Sequence, residues 1–250
     1  MARNIEELIN RQIHRWNSIS TVLRKELSGL TENEVEPRAG EAGRAFHPVI
    51  CISREMGAGA RDIARLLSRR LNYELFGSEI INQIATDLKV QERLVRSIDE
   101  QDRDQFRILV DSFLSGQEIE ASDFLNSLTR VVKALAIKGG VVLLGRGGNF
   151  ILGDQSALNV RIVAPFGERV ERVQRYLNIG EEKAREMVER TDILRARFIH
   201  HYFHADVHDN KYFDLVINTS RLPTVAATEL ILAALRVRGF IPEKIALPPV

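Results

Sequence analysis

The stretch VICISREMGAGARDIARLLSRRL, residues 49–71, contains the pattern from which the fold class is predicted. It opens with a short β-branched run, turns at the glycines of residues 57–59, and continues with apolar residues at helical spacing (Ile63, Leu67 and Leu71). A buried strand that leads through a glycine turn into a helix is the repeating unit of a parallel sheet covered by helices. The stretch therefore predicts an α/β protein.

Four more short apolar runs have the composition of strands. They are YEL, VVLL, VRIVA and DLVIN, at residues 73–75, 141–144, 160–164 and 214–218. Helical spacing of apolar residues fills the intervals, so the pattern predicts about five parallel strands that are buried on both faces. The interval between YEL and VVLL is long and helical throughout, which predicts a helical insertion at residues 78–138.

The composition limits the partners of the chain. Its 250 residues contain 35 lysines and arginines and 34 aspartates and glutamates, a formal net charge of +1. Bulk charge therefore holds the chain neither to nucleic acid nor to an anionic membrane, and any anion needs a local site. Cys51 is the only cysteine, and no apolar run approaches the roughly 18 residues of a membrane span. Together these features predict a soluble, cytoplasmic protein without disulfides.

Residues 1–30 have the pattern of one amphipathic helix. Asn4 and Glu7 form a capping box, and apolar residues then recur at helical spacing. The apolar stripe packs either on the rest of this chain or on a second copy, which would make a homodimer. Residues 31–46, with glycine, proline and charge but no periodicity, read as a linker, and residues 241–250 read as a C-terminal tail.

The loop after the first strand, residues 53–62, is called the glycine loop here. Glycines between a strand and a helix let the backbone turn and direct N–H groups to an anion at the helix N-terminus. The strict pattern GxxxxGK[ST] is not met, because Arg54 stands at its first glycine, and Ala60 and Arg61 stand where lysine and serine or threonine belong. A tight turn that serves only packing explains the glycines equally well. The two arginines favour the anion site.

Two further segments concentrate arginines. Arg146 lies between glycines directly after the run at residues 141–144, at the edge where α/β proteins bind ligands, and its planar fork suits a phosphate. Residues 189–197, ERTDILRAR, place several arginines on one predicted helix. These arginines either fold over a bound phosphate or form a charged face towards solvent.

At these three places the sequence resembles the cytidylate kinase-like family of phosphate-loop nucleoside monophosphate kinases. The matching motifs are ISREMGAGARDIA, LLGRGGNFIL and the stretch from Glu189 to Arg221, and the resemblance runs from about residue 49 to about residue 236. It implies a P-loop NTPase-type sheet of five parallel strands in the order 2-3-1-4-5. The kinase domain would span residues 47–240, with the helical insertion at residues 78–138 covering the acceptor and an arginine-rich lid region at residues 180–210.

The resemblance also implies roles for single residues. ATP would be bound by the glycine loop, through Ser53, Arg54, Glu55, Gly57, Ala58, Gly59, Ala60, Arg61 and Asp62. The acceptor would be bound by Ser78, Arg146, Gly147, Arg169 and Asp192, and the catalytic charges would come from Arg61, Arg190, Arg195 and Arg197. Related chains often carry an acidic residue after the second strand, where this chain has Phe76-Gly77-Ser78. Ser78 serves equally well as a helix cap.

The function that the resemblance implies is phosphoryl transfer from ATP·Mg²⁺ to a nucleoside monophosphate, with CMP or dCMP as the acceptor. The usual loop lysine is missing from this chain, so a second function stays open, in which the fold senses nucleotides or binds partners with weak or no transfer. A kinase for a different small acceptor is the third alternative, because a fold alone does not determine the substrate.

Three other features are weaker candidates. His200, His204 and His208 have the spacing of one helical face, as zinc ligands do, but residues 206–210 predict a turn that breaks this face. Cys51 lies inside an apolar strand, which favours a core residue over a nucleophile. Asp62 lies near a helix start, where the dipole favours a carboxylate, and it could also hold Mg²⁺ through water. We therefore predict no metal site built from protein ligands.

Overall fold

The computed structural model describes residues 48–86 and 123–241, which contain one five-stranded sheet. The strands are β1 (Val49–Arg54), β2 (Glu74–Gly77), β3 (Val141–Leu144), β4 (Ala157–Val163) and β5 (Leu215–Asn218). All neighbouring strands are parallel, and their order is β2-β3-β1-β4-β5. This order confirms the predicted fold class.

Helices fill the intervals between the strands. They are α1 (Ala60–Leu71), α2 (Ser78–Thr86), α3 (Asp123–Lys138), α4 (Gly148–Ser156), α5 (Phe166–Leu177), α6 (Glu181–Phe203) and α7 (Thr224–Val237), with a short 3-10 turn at Asn210–Tyr212. The predicted strands shift slightly, since β2 begins at Glu74 and β4 already at Ala157. Within these described segments, no helix is both long and apolar enough to cross a membrane.

Both faces of the sheet are buried. Ile50 and Ile52 of β1 pack on the face covered by α1 and α7, whereas Val49 and Cys51 pack on the face covered by α2, α3 and α4. Successive strand residues point to opposite faces, and these four side chains are at most 3% exposed. Burial on both faces is why the strand reads as a continuous apolar run and not as an alternating one.

Several predicted segments lie outside the described residues. They are the amphipathic segment at residues 1–30, with the homodimer inferred from it, the linker at residues 31–46, the middle of the insertion at residues 87–122, and the tail after Ile241. The two described ends of the insertion are α2 and α3, which pack against each other and against the sheet.

Helices α5 and α6 form a hairpin beside the carboxyl ends of the strands. Val170 of α5 packs with Ala184 and Val188 of α6, and Met56 from the glycine loop contacts this small cluster. Helix α6 is one continuous helix of 23 residues. The predicted lid arginines therefore lie on a single helix that is packed against the glycine loop.

Candidate functional site

A cavity of about 340 Å³ lies at the carboxyl ends of β1 and β3. Its walls come from the end of β1, the loop after β3, the start of α2 and the C-terminal half of α6. Ligands of open parallel sheets bind at the carboxyl edge of the strands. The cavity is therefore the candidate active site.

The glycine loop contributes only its first part to this cavity. Ser53, Arg54 and Glu55 line it, whereas the remaining predicted ATP-binding residues, 57–62, form the turn and the first turn of α1 outside it. At Gly57 the φ angle is 79°, and a Cβ atom would lie 2.5 Å from the carbonyl oxygen of Arg169. Glycine is required there by both the backbone conformation and the close approach of α5.

The start of α1 follows this turn. Gly59 is the N-cap residue, and no side chain of the described residues caps the helix, while the carbonyl oxygen of Ala58 accepts a hydrogen bond from Oγ1 of Thr219 (2.9 Å). Ala60 is buried, whereas Arg61 and Asp62 are exposed. A glycine at the start of a helix that follows a strand leaves backbone N–H groups free to bind an anion, and this role stays a prediction for α1.

Charged side chains tie the glycine loop to α5 and α6. Asp192 accepts a hydrogen bond from the Met56 N–H (2.8 Å) and also binds the Arg169 guanidinium. Arg169 donates to the carbonyl oxygens of Met56 (3.1 Å) and Ala164 (3.0 Å), and its Nε lies 3.3 Å from Oε2 of Glu55. Glu55 in turn accepts from the Ala164 N–H (3.2 Å). We call this set the Glu55–Arg169–Asp192 network.

This network bears on three predicted site residues. Arg169, predicted to bind the acceptor, is 7% exposed, does not line the cavity and is bound by protein groups. Glu55 and Asp192 line the cavity, but their carboxylates are bound by Arg169 and by backbone N–H groups. Their placement favours holding the loop and α6 in position over direct contact with a substrate.

A second set of charges, Arg54, Arg146 and Arg195, lines the cavity and is called the arginine cluster here. Burial and the positive charges of Arg195, Arg146 and Arg61 lower the pKa of Arg54 to about 9. Burial also lowers the pKa of Arg195, an effect that Asp192 opposes and Arg146 reinforces. Cations that are buried together and repel one another are stabilised when an anion enters between them. The cluster therefore has the electrostatics of a phosphate site.

Arg146 is held in an uncommon backbone conformation. Its φ angle is 58°, a left-handed value that side chains other than glycine rarely adopt, and its guanidinium lies 5.1 Å from the centre of the Phe198 ring. Gly147 lines the cavity beside it, and so does Ser78 at the start of α2. Backbone strain of this kind concentrates where a loop must present a side chain to a ligand.

The three predicted catalytic arginines of α6 have different environments. Arg195 lines the cavity, and its Nη1 donates a hydrogen bond to the carbonyl oxygen of Arg54 (3.2 Å). Arg190 and Arg197 are exposed and do not line the cavity. The structure thus brings one of these three arginines together with Arg146.

Sequence reasoning missed Arg161, which lies in the middle of β4 and lines the cavity. Its side chain is 4% exposed, donates to Oγ of Ser53 (3.3 Å) and lies 3.2 Å from Nδ1 of His208. Since a guanidinium only donates hydrogen bonds, Nδ1 of His208 is the acceptor in this contact. The available signal was a charged residue inside the otherwise apolar run VRIVA.

The three histidines at helical spacing do not share one face. Helix α6 ends at Phe203, and His208 lies in the turn that follows, as the sequence predicts. Within the part of the chain that the structure describes, no three histidine, cysteine, aspartate or glutamate side chains come together as metal ligands. Burial, with a smaller effect of Asp214, raises the pKa of the Cys51 thiol, so this residue behaves as a core side chain.

Curated relatives cover this chain to different extents. A uronate isomerase of Corynebacterium glutamicum is 32% identical over 97 residues, which is 38% of this chain and 19% of that protein. A cytidylate kinase of Staphylothermus marinus is 35% identical over 88 residues, covering 35% of this chain and 49% of that protein. A cytidylate kinase of Ignicoccus hospitalis is 27% identical over 184 residues, covering 73% of this chain and 96% of that protein. The chain thus spans less than half of the first two relatives and nearly all of the third.

The similarity to a solved structure and to a protein family extends over most of the chain. The crystal structure of an uncharacterized protein from Eubacterium ventriosum has a TM-score of 0.54 at 20% identity, covering 76% of this chain and 98% of that chain. Residues 49–221 match the model of the cytidylate kinase-like family. This span contains all five strands and every residue that lines the cavity, and the chain therefore belongs to the cytidylate kinase-like family.

Proposed function

We propose that this protein transfers the terminal phosphoryl group of MgATP to a nucleoside monophosphate, with CMP or dCMP as the acceptor. Family membership supports a nucleotide kinase, and relatives that match most of the chain carry the name cytidylate kinase. The observation that carries the proposal is the arginine cluster, whose guanidiniums repel one another around a cavity next to the glycine loop. The phosphates of two nucleotides would supply the opposing negative charge.

Phosphoryl transfer needs little covalent chemistry from the protein, so its residues position substrates and stabilise charge. An oxygen of the acceptor phosphate attacks the γ-phosphorus of ATP, and the bond to the β–γ bridging oxygen breaks to release ADP. In this proposal, the glycine-loop backbone and Arg61 bind the donor phosphates, and Arg146 binds the acceptor phosphate. Arg195 neutralises charge between them. Helix α6 closes the cavity and limits attack by water.

Magnesium enters this reaction as part of the donor. Glu55 and Asp192 are bound within their network, and Asp62 pairs with Arg65 (3.6 Å) on the exposed first turn of α1. Mg²⁺ in phosphoryl-transfer sites is held largely by phosphate oxygens and water, with one or two carboxylates. The described residues therefore suit a metal that arrives with the nucleotide, and Asp62 is our candidate for contacting it through water.

A nucleotide-binding protein with little transfer is the second candidate function. The observation in its favour is Ala60, which occupies the position of the usual loop lysine and is 4% exposed. That lysine normally reaches the β- and γ-phosphates. Without a substitute for this charge, the fold would bind nucleotides but transfer slowly.

One experiment separates these functions. The full-length protein is incubated with MgATP and, one at a time, CMP, dCMP, UMP, AMP and GMP, while ADP and each nucleoside diphosphate are quantified. We expect CMP or dCMP to be converted, with little ATP hydrolysis when the acceptor is left out. Binding of ATP without transfer to any acceptor would support the nucleotide-binding function. Rapid conversion of another nucleoside monophosphate of the panel would support a nucleotide kinase with a different acceptor.

A further inference from the structure

We propose that Arg54, although it belongs to the glycine loop, binds the phosphate of the acceptor and not the phosphates of ATP. The inference rests on the proposed function, because it assigns one residue to one of the two substrates of that transfer. The sequence predicts the opposite assignment, since Arg54 stands at the first glycine of a phosphate-loop pattern.

The Arg54 side chain points towards the end of β2. Arg54 ends β1, which lies between β3 and β4 in the sheet. Its Nη2 donates a hydrogen bond to Oγ of Ser78 (3.4 Å), the residue that follows β2. The guanidinium therefore reaches across the end of β3 to the end of β2. This is the half of the sheet that carries the predicted acceptor residues.

Gly145 makes room for this guanidinium, because it has no side chain. A Cβ atom at Gly145 would lie 1.9 Å from Nη1 and 2.9 Å from Cζ of Arg54. No side chain fits in that space while Arg54 keeps its position. Gly145 also has a φ angle of 90°, and it directly precedes Arg146. The loop after β3 is thus shaped to hold Arg54 beside the arginine that is predicted to bind the acceptor.

Other positive charges act on the Arg54 guanidinium. Those of Arg195, Arg146 and Arg61, in that order of effect, lower its pKa. Arg195 is also bound through its Nη1 to the Arg54 carbonyl oxygen. A single phosphate group between Arg54, Arg146 and Arg195 would accept hydrogen bonds from several guanidinium N–H groups and relieve their repulsion. The ATP-binding turn, residues 57–62, lies outside this cavity.

The test removes Arg54 in one variant and displaces it in another. Arg54→Met deletes the guanidinium, and Gly145→Ala leaves Arg54 in the chain but fills its place. Gly239→Ala is the matched control, because Gly239 has a similar positive φ (66°) but no described residue within 4 Å of the added Cβ. Folding of each variant is checked by circular dichroism and thermal unfolding. If Gly145→Ala does not fold, the binding measurements on Arg54→Met decide the test.

The measurement is equilibrium binding by calorimetry with three probes: ATP alone, CMP alone, and inorganic phosphate with saturating ADP present. We expect Arg54→Met and Gly145→Ala to weaken CMP and phosphate binding at least 10-fold, about 1.4 kcal/mol. ATP affinity should change less than about 3-fold, which is under 0.7 kcal/mol. Gly239→Ala should bind all three probes as the wild type does.

The outcomes separate this inference from the proposed function. An equal or larger loss of ATP binding in Arg54→Met would overturn the acceptor assignment, and so would unchanged phosphate binding. If the wild type converts no nucleoside monophosphate, the proposed function is wrong, but the phosphate titration still decides whether Arg54 binds a lone phosphate. Failure of the wild type to bind phosphate at all would overturn the inference as well.

Discussion

The Glu55–Arg169–Asp192 network and the arginine cluster occupy neighbouring positions and behave in opposite ways. Arg54 and Glu55 are adjacent in the chain, and Asp192 and Arg195 are one turn apart on α6. In the network, one buried arginine is opposed by two carboxylates and by backbone oxygens. In the cluster, arginines face one another and lower the pKa of Arg54, and Arg195, which lies 3.6 Å from Asp192, joins the cluster to the network. The first arrangement is complete without a ligand, and the second is stabilised by an added anion.

The contrast separates groups that hold the site together from groups that contact substrate. A charge pair that is satisfied within the protein fixes backbone, because breaking it leaves a buried charge without its partner. Repelling cations around a cavity cost stability and are retained where binding uses them. Because α6 contributes to both sets, the network also determines where Arg195 stands.

Removing the arginine of the network should affect stability most. Arg169→Met leaves Glu55 and Asp192 near the glycine loop without their shared cation, and we expect it to lower the free energy of unfolding by about 3–5 kcal/mol. Urea denaturation measures this loss. Arg185→Met is the control, because the Arg185–Glu181 ion pair on α6 is exposed and should contribute less than about 0.5 kcal/mol. Equal, small losses in both variants would show that the network does not hold the fold.

Arg61 is expected to substitute for the missing lysine at the start of α1. The two carboxylates closest to it in the sequence have other partners, since Asp62 pairs with Arg65 and Glu55 with Arg169. Arg61→Ala should lower the rate of transfer at least 100-fold, about 2.7 kcal/mol, while the protein stays folded. Steady-state kinetics with MgATP and CMP measures this. Near-normal turnover in Arg61→Ala, together with loss of ATP binding in Arg54→Ala, would show that Arg54 and not Arg61 supplies the positive charge that binds the donor phosphates.

Arg146 is expected to act on the acceptor alone. Arg146→Lys keeps the charge but loses the planar fork, so we expect acceptor affinity to fall about 10-fold, or 1.4 kcal/mol. ATP affinity should stay nearly unchanged. Titration of each nucleotide separately measures both. Arg236→Lys, on the last turn of α7 away from the cavity, serves as the control. An equal loss for ATP and acceptor would contradict the assignment.

The smallest effect is a dependence on pH. Because burial and neighbouring arginines lower the pKa of Arg54 to about 9 in the folded protein, the unfolded chain binds more protons at this residue above pH 9. Its contribution to stability therefore rises as the pH increases beyond 9. Phosphate favours the protonated form, so its stabilising effect should be larger at pH 7 than at pH 10. Thermal unfolding with and without phosphate, at constant ionic strength, measures both trends, and Arg54→Met should remove the pH difference.

The architecture was largely predictable, because its signals are local. The β-branched runs at residues 49–53 and 141–144 occur as β1 and β3, and the helical pattern over residues 181–201 occurs as α6. Strand composition and helical spacing are properties of neighbouring residues, which a linear sequence displays directly. The strand order came through the resemblance to the family, whose motifs lie at the strand ends.

The site was predictable in part. Arg54, Arg146 and Arg195 were named from the sequence and line the cavity together. Arg169 was also named, but it lies behind the glycine loop and pairs with Glu55 and Asp192. An arginine that pairs with carboxylates and an arginine that lines a cavity cannot be told apart in a sequence. The residue type shows which partners a side chain can bind, but not which of them is close to it in the fold.

The linear sequence was enough to predict the α/β class, the position of the glycine loop and which residues could bind a phosphate. Folding places Arg169 between two carboxylates and brings Arg54, Arg146 and Arg195 to one cavity. Asp192 reaches Met56 across 136 residues of chain, and Arg54 reaches Ser78 across 24. The energy of a buried charge depends on the groups that surround it in space. Those groups come from distant segments, and folding brings them together.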